Sequence, residues 1–313
     1  MNSPDQIIGL FDRLPIFSTA CLLFFAAGSG GYLFLKYSRI MQELTRIEQI
    51  VLSAGIGMNC LSLLALAIGL IGWLVPAVVI GSLGLIFCTA YIAWRWQPVE
   101  PTHSQRNDTG NDNRLDRSDW LCISLGIPFA LSILLGSCLP PTDFDVCEYH
   151  LQVPKEWYLN GHINFLPHNV YGNMPLGAEL PSMLAMAIMP GTNNWWWGAL
   201  TGKVIIGCFS ILGALLLYAA GKRFSSPSVG CIAAVVYIST PWVGKISMNG
   251  LVESVWGFYF FASFYVLLIW HQRMKMSHTS TMANGQHGDN QHVSPHKATP
   301  NTTNSGRGFF LVA

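Results

Sequence analysis

From Gln49 to Trp94 the chain runs for 46 residues without an Asp, Glu, Lys or Arg. As a single α-helix that run would measure roughly 70 Å, about twice the ~30 Å hydrocarbon core of a bilayer. Gly72 and Pro76 fall in its middle and mark a turn, so the run reads as two membrane spans back to back. The composition agrees. Charged residues make up 11% of the 313 and hydrophobic ones 51%, against about 25% charged in an ordinary soluble domain. A soluble enzyme, a disordered tail and a basic nucleic-acid binder are excluded. The formal net charge of +1 sets up no bulk field that would select a partner. The fold class is all-α, a multi-pass transmembrane helical bundle.

Seven segments have the length and apolarity of spans, at about 14–35, 49–71, 74–94, 120–139, 198–220, 228–244 and 251–270. An eighth apolar run begins at Gly308 and reads as the start of a truncated span, 308–313. Four of the seventeen Lys and Arg residues (Arg13, Lys155, Lys203, Lys245) fall on one side of this alternation and thirteen on the other. The richer side is expected to be cytoplasmic, which puts the N-terminus and the 140–197 loop outside, across a bacterial inner membrane. The organisation expected is an N-terminal region of three spans (1–95), a cytoplasmic loop (96–118), a core (119–270), a disordered cytoplasmic loop (271–307) and the truncated span. Seven of the eight cysteines lie in apolar runs and behave as small hydrophobes; Cys147 stands in the external loop. The five histidines of 271–307 and the sequons at Asn107 and Asn301 read as incidental to polar cytoplasmic segments.

The external loop carries the chemistry. It holds Asp143, Asp145, Glu148, Glu156 and Glu179 against one base, Lys155. The first three follow directly on the fourth span, where partial desolvation and like charge raise at least one carboxyl pKa. Phe144–Tyr158 is expected to form an amphipathic interfacial helix, interrupted at Pro154, and Leu176–Met189 a second interfacial or re-entrant helix. Trp195, Trp196 and Trp197 read as an aromatic belt at the start of span five. Glu253, at the outer end of span seven, is a functional candidate because an ionisable group there needs a partner or water. Lys245 is its expected partner, or a cation for a lipid phosphate. Lys203 is the other charge within a span. No cofactor is required by the pattern; a divalent metal ion on Asp145, Glu148 and His150 is the one candidate.

The order of these residues resembles the first external loop of the GT-C membrane glycosyltransferases. It is most similar to the branch with the protein O-mannosyltransferases and the aminoarabinose transferase of lipid A. The resemblance rests on Pro140-Pro141, then Asp145 and Tyr149, then Asn169-x-Tyr171-x-x-Met174-Pro175-Leu176, a short apolar helix and a span. It covers about 120–270. It differs in having three spans before the one that leads into the loop, and Val146 directly after Asp145, so Glu148 or Asp143 would supply a second carboxylate.

The resemblance implies a catalytic set of Asp145, Glu148 and Glu253, with Asp145 as general base. It implies substrate-binding roles for Asp143, Tyr149, His150, Lys203, Lys245 and Tyr171. The partners implied are a lipid-linked sugar donor, the bilayer, and an acceptor glycan, lipid or protein, with no nucleic acid. The reaction implied is inverting transfer of a sugar from a polyprenyl phosphate to an acceptor hydroxyl. The alternatives are a transporter using Glu253 and Lys203 as intramembrane charges, and a non-catalytic membrane scaffold.

Overall fold

The structure is a computed structural model that describes residues 9, 11–38, 40–96 and 116–288, with side chains up to Lys275. The described residues form helices and turns, with no strand among them. They divide into two compact units, Met1–Phe258 and Tyr259–Ala313.

The first unit opens with α1 (Leu14–Tyr37), which has Pro15 in its first turn, where the missing N–H costs nothing. Helix α2 (Arg46–Ile71) starts at a capping box. Thr45 Oγ1 accepts from Glu48 N, and a Glu48 carboxylate oxygen accepts from Thr45 N at 2.7 Å. It ends at Gly72, whose φ of 80° is the left-handed cap that glycine tolerates best. Pro76 then begins α3 (Pro76–Arg95), so the charge-free run does divide where the sequence puts the turn. Helix α4 (Arg117–Ser137) starts at a second capping box, on Asp116 and Asp119.

After α4 come a π-helical turn (Val146–His150), α5 (Gln152–Asn160) and α6 (Leu180–Ile188). Helix α7 (Asn194–Phe224) is followed by α8 (Pro227–Ser239), α9 (Pro241–Asn249) and α10 (Glu253–Gly288). Among the described residues six helices are long and apolar enough to cross a bilayer, and up to seven crossings result if the α8–α9 pair, bent by 60°, is one span. That is consistent with a multi-pass membrane protein. The bend falls at Thr240, where Pro241 disfavours helical backbone in the residue before it.

Glycine sets how these helices pack. A Cβ on Gly57 would stand 1.6 Å from the Ala27 carbonyl oxygen, and one on Gly31 would stand 1.9 Å from that of Ser53. Helices α1 and α2 therefore touch backbone to backbone. The same holds for α6 against α7 at Gly198, 2.4 Å from Met186 Cα, and for α7 against α8 at Gly221, 2.4 Å from Gly230 Cα. Small residues that let backbones meet are how helices associate where the surrounding lipid is as apolar as the side chains. Helices α3 and α4, by contrast, bury three residues each; most of their apolar side chains remain exposed, as suits a lipid-facing surface.

Charge fixes the two ends of this unit. At one end Arg223, in the last turn of α7, grips the buried Glu48 of α2. Its Nε donates to Oε1 at 2.7 Å and its Nη2 donates both to Oε2 and to the Glu43 carbonyl. At the other end Arg13 donates to the carbonyl of Cys138, and Lys203 Nζ donates to that of Leu139 at 2.8 Å. Both cations thus sit at the C-terminal end of α4, the negative end of its dipole.

Two expectations about the external loop change. The break in the first amphipathic run comes at Leu151, between the π turn and α5, and not at Pro154. Pro154 lies in the first turn of α5, where it needs no hydrogen-bond partner. The stretch Leu176–Met189 yields α6, in which every residue from Leu180 to Ala187 is buried. Of the interfacial and re-entrant alternatives, this burial departs from the first and is compatible with the second, because Gly198 and Gly202 open a slot on α7 that admits its backbone.

The loop expected to be disordered from 271 is helical as far as Gly288, as a continuation of α10. This second unit also contains the stacked rings of Phe261 and Tyr265, 6.1 Å apart. The loop at 97–115, the histidine-bearing segment past 288, both sequons and the 308–313 run lie outside the described residues.

Replacing Gly57 by Ala should force α1 and α2 apart and cost about 1–3 kcal/mol, the usual scale for overpacking. Gly84→Ala, where a Cβ meets nothing within 4 Å, should be neutral. Thermal unfolding of the two variants in the same detergent checks the contrast.

Candidate functional site

The site grows from the end of α4. With Cys138 and Leu139 held by Arg13 and Lys203, the chain turns through Pro140 and Pro141 to Thr142, whose hydroxyl lies 3.3 Å from Asn249 Oδ1 at the end of α9. Asp143 Oδ1 accepts the backbone N–H of Asp145 at 3.1 Å, and the Asp143 carbonyl accepts that of Cys147. Such local side-chain capture starts a helical turn. Val146 then drops into a buried cluster with Leu151, Met186, Ala199, Ile246 and Leu251. Val146 is therefore the anchor of the turn. With Val146 buried, its neighbours Asp145, Cys147 and Glu148 are left exposed.

The far side of the turn is aromatic. The Tyr149 and Tyr171 rings stack with centroids 4.9 Å apart, and the imidazole of His150 lies 4.2 Å from the Tyr149 ring. Buried Asn169 fixes this arrangement. Its Oδ1 accepts the backbone N–H of Tyr171 at 3.1 Å, while its Nδ2 donates to the carbonyl of Glu148 at 2.9 Å. Buried His150 shares a 2.6 Å hydrogen bond, through Nδ1, with Oε1 of the equally buried Glu179 at the start of α6.

The Tyr149 phenol is pushed above its ordinary value, first by partial burial and then by the charges of Asp145, Glu253 and Glu179, with a smaller effect of Tyr171. Three carboxylates from three parts of the chain thus act on one hydroxyl. Tyr149 keeps its proton throughout the physiological range and offers it as a donor.

Most of the sequence-named residues meet here: Asp143, Asp145, Glu148, Tyr149, His150 and Tyr171 belong to one connected array, and the charge of Glu253, the first residue of α10, acts on the Tyr149 phenol. Four others stand apart. Lys203 is buried beneath the array with its ammonium on the Leu139 carbonyl. Lys245 does not pair with Glu253 among the described residues; its Nζ lies 5.0 Å from the centre of the Trp242 ring. Glu156 bonds to His168 and Gln152, and Lys155 lies over Trp195, so both brace the covering loop.

The metal expectation does not fit this geometry. Among the described residues no three His, Cys, Asp or Glu side chains gather as ligands. His150 Nδ1 faces Glu179, and Asp145 and Glu148 point from an exposed surface.

Two residues of the array, Glu179 and Asn169, are named in the sequence pattern but are given no role in the site there. Glu179 is the lone acid beside an apolar stretch, and a carboxylate there needs a hydrogen-bond partner; that was the available signal. Asn169 carries the short turn-forming pattern with Tyr171, but its second bond, to Glu148, spans 21 residues and left no local trace.

Comparison of the chain with models of protein families, with curated proteins and with solved structures gave no match.

Removing a negative charge beside Tyr149 removes part of the penalty on forming its phenolate, so the phenol should titrate at lower pH in Asp145→Asn and in Glu253→Gln. The tyrosinate absorbance lost in Tyr149→Phe identifies the signal to follow.

Proposed function

We propose that this chain is an integral-membrane glycosyltransferase of the GT-C type, acting at the membrane end that carries the acid-rich loop. The observation that supports this reading is the exposed Asp145 on a turn that also carries Tyr149, stacked on Tyr171, directly where α4 hands over to the loop, with the charges of Asp145 and Glu253 both raising the Tyr149 phenol. A lipid-linked substrate reaches such a position from the bilayer and a water-soluble acceptor reaches it from the loop side.

The chemistry follows from the groups at hand. Asp145 is exposed and has no cationic partner among the described residues, so its carboxylate is free to take the proton of an acceptor hydroxyl. The oxygen so activated attacks the anomeric carbon of the donor from the face opposite the phosphate. The bond to the phosphate breaks with its electron pair, the phosphate leaves as an anion, and the configuration inverts. Tyr149 and Glu253 orient the sugar hydroxyls. Lys245, exposed on α9, is the cation available to the leaving phosphate.

A transporter needs an ionisable group near mid-depth. The two candidates, Lys203 and Glu253, both belong to the loop end, one bonded to Leu139 and the other opening α10. That favours the enzyme.

The membrane is inferred to be a bacterial inner membrane, with the loop end outside. Lys36, Arg46, Arg95, Arg117, Lys222 and Arg223 lie in the last or first turns at the opposite end of the first unit, as expected for a cytoplasmic face.

Two outcomes are expected. Asp145→Asn in the membrane-embedded protein should reduce transfer from a polyprenyl-phosphate sugar by at least 10²-fold, the scale of a lost general base, with insertion and yield unchanged. Undiminished transfer would sink the assignment. Exposed Cys147 should react with a membrane-impermeant thiol reagent added from outside, and Cys147→Ser should abolish that labelling. Labelling only after the cytoplasmic face is opened would reverse the topology.

A further inference from the structure

The buried pair of His150 and Glu179 is used neither by the fold's helix contacts nor by the transfer chemistry above, yet it sits directly beneath Tyr149. Both side chains are almost wholly inaccessible, at 5% and 3% residual exposure, and they join two elements 29 residues apart. Burying an ionisable pair is costly unless the two are bonded to each other in good geometry. At 2.6 Å, Nδ1 to Oε1 meets that condition.

We propose that Glu179 is a positioning residue: it holds the proton of His150 on Nδ1, fixes the ring, and through the ring sets Tyr149 and the turn that carries Asp145. An imidazole is the stronger base of the two groups, so the shared proton resides on nitrogen and the carboxylate accepts it. Nδ1 then carries the proton of the neutral ring, and Nε2 is left bare. A carboxylate behind an imidazole commonly selects tautomer and orientation in this way.

The consequence for the site is geometric. His150 is the last residue of the turn that begins after Asp145, and its ring packs against Tyr149, which in turn stacks on Tyr171. The Asn169 bridge holds Tyr171 and Glu148 together from the other side. Glu179 and Asn169 therefore grip the turn at two points, and Asp145 is presented from a frame with little freedom to rotate. The tautomer is independent of the glycosyltransferase reading; only the kinetic consequence rests on it.

The test is an imidazole-nitrogen NMR spectrum of the histidine-labelled, membrane-embedded protein. The His150 signal is assigned as the one lost in His150→Gln, or, should that variant fold poorly, as the one shifted in Glu179→Gln. A neutral His150 with Nδ1 protonated and Nε2 bare is the expected result. Nδ1 bare, with Nε2 protonated, would mean that Glu179 is the donor and would overturn the proposal.

The kinetic arm compares Glu179→Gln with Glu179→Asp. The amide should lower kcat roughly 10–100-fold, the scale for losing the outer partner that orients an imidazole, with KM for the lipid-linked donor unchanged. The shorter acid should recover part of the loss. A kcat for Glu179→Gln equal to that of the wild type would overturn the positioning role. Absence of transfer by the wild type would defeat the glycosyltransferase reading instead, and the nitrogen spectrum would still decide the tautomer.

Discussion

Contact between helix backbones at glycine is the constraint on which this molecule depends. Gly31 and Gly57 bring α1 onto α2, Gly198 and Gly202 bring α6 onto α7, and Gly221 brings α7 onto α8. Helix α7 is thereby drawn against its neighbours along much of its length. The apolar side chains alone would not have chosen these partners, because leucine against leucine and leucine against lipid differ little. Backbone contact gains dispersion energy that lipid cannot match, and only glycine permits it. The polar clamps at the two ends, Arg223 on Glu48 and the pair Arg13 and Lys203 on the end of α4, then fix the sliding register of helices that glycine has already brought together.

The site depends on this packing at one remove. The burial of α6 against α7 carries Glu179 inward, where it meets His150. The cluster that receives Val146 draws on α6, α7 and α9, and it holds the turn so that Asp145 and Glu148 stay exposed. The carboxylates around Tyr149 come from the turn, from the start of α6 and from the start of α10. Loosening any of these helices would spread the acids apart before it unfolded anything, which ties chemistry at the loop to packing between helices.

Much of the helical framework was legible in the chain. Gly72 and Pro76 divide the charge-free run as their backbone preferences require, and Thr45 with Glu48 and Asp116 with Asp119 announce two helix starts. Other features depended on partners distant in sequence. The sixth candidate span, 228–244, divides into α8 and α9 at Pro241. The short apolar stretch before span five is buried inside the bundle, because its environment is set by glycines of α7 and not by its own hydrophobicity. Lys245 and Glu253 are eight residues apart in the chain, but α9 ends at the left-handed Gly250 between them; Lys245 lies over Trp242, while the charge of Glu253 acts on Tyr149.

The sequence by itself determined that the chain is helical, how many stretches have span length, where most helices begin and end, and which loop concentrates the acids. These follow from composition, periodicity and capping, which act over a few residues. Only the tertiary structure decided which acids share a hydroxyl, that His150 answers to Glu179 and not to Asp145 and Glu148, and that Lys203 and Arg13 secure the end of α4. Each of those depends on two segments tens of residues apart meeting within hydrogen-bond distance, and that distance is set by how closely helix backbones approach one another.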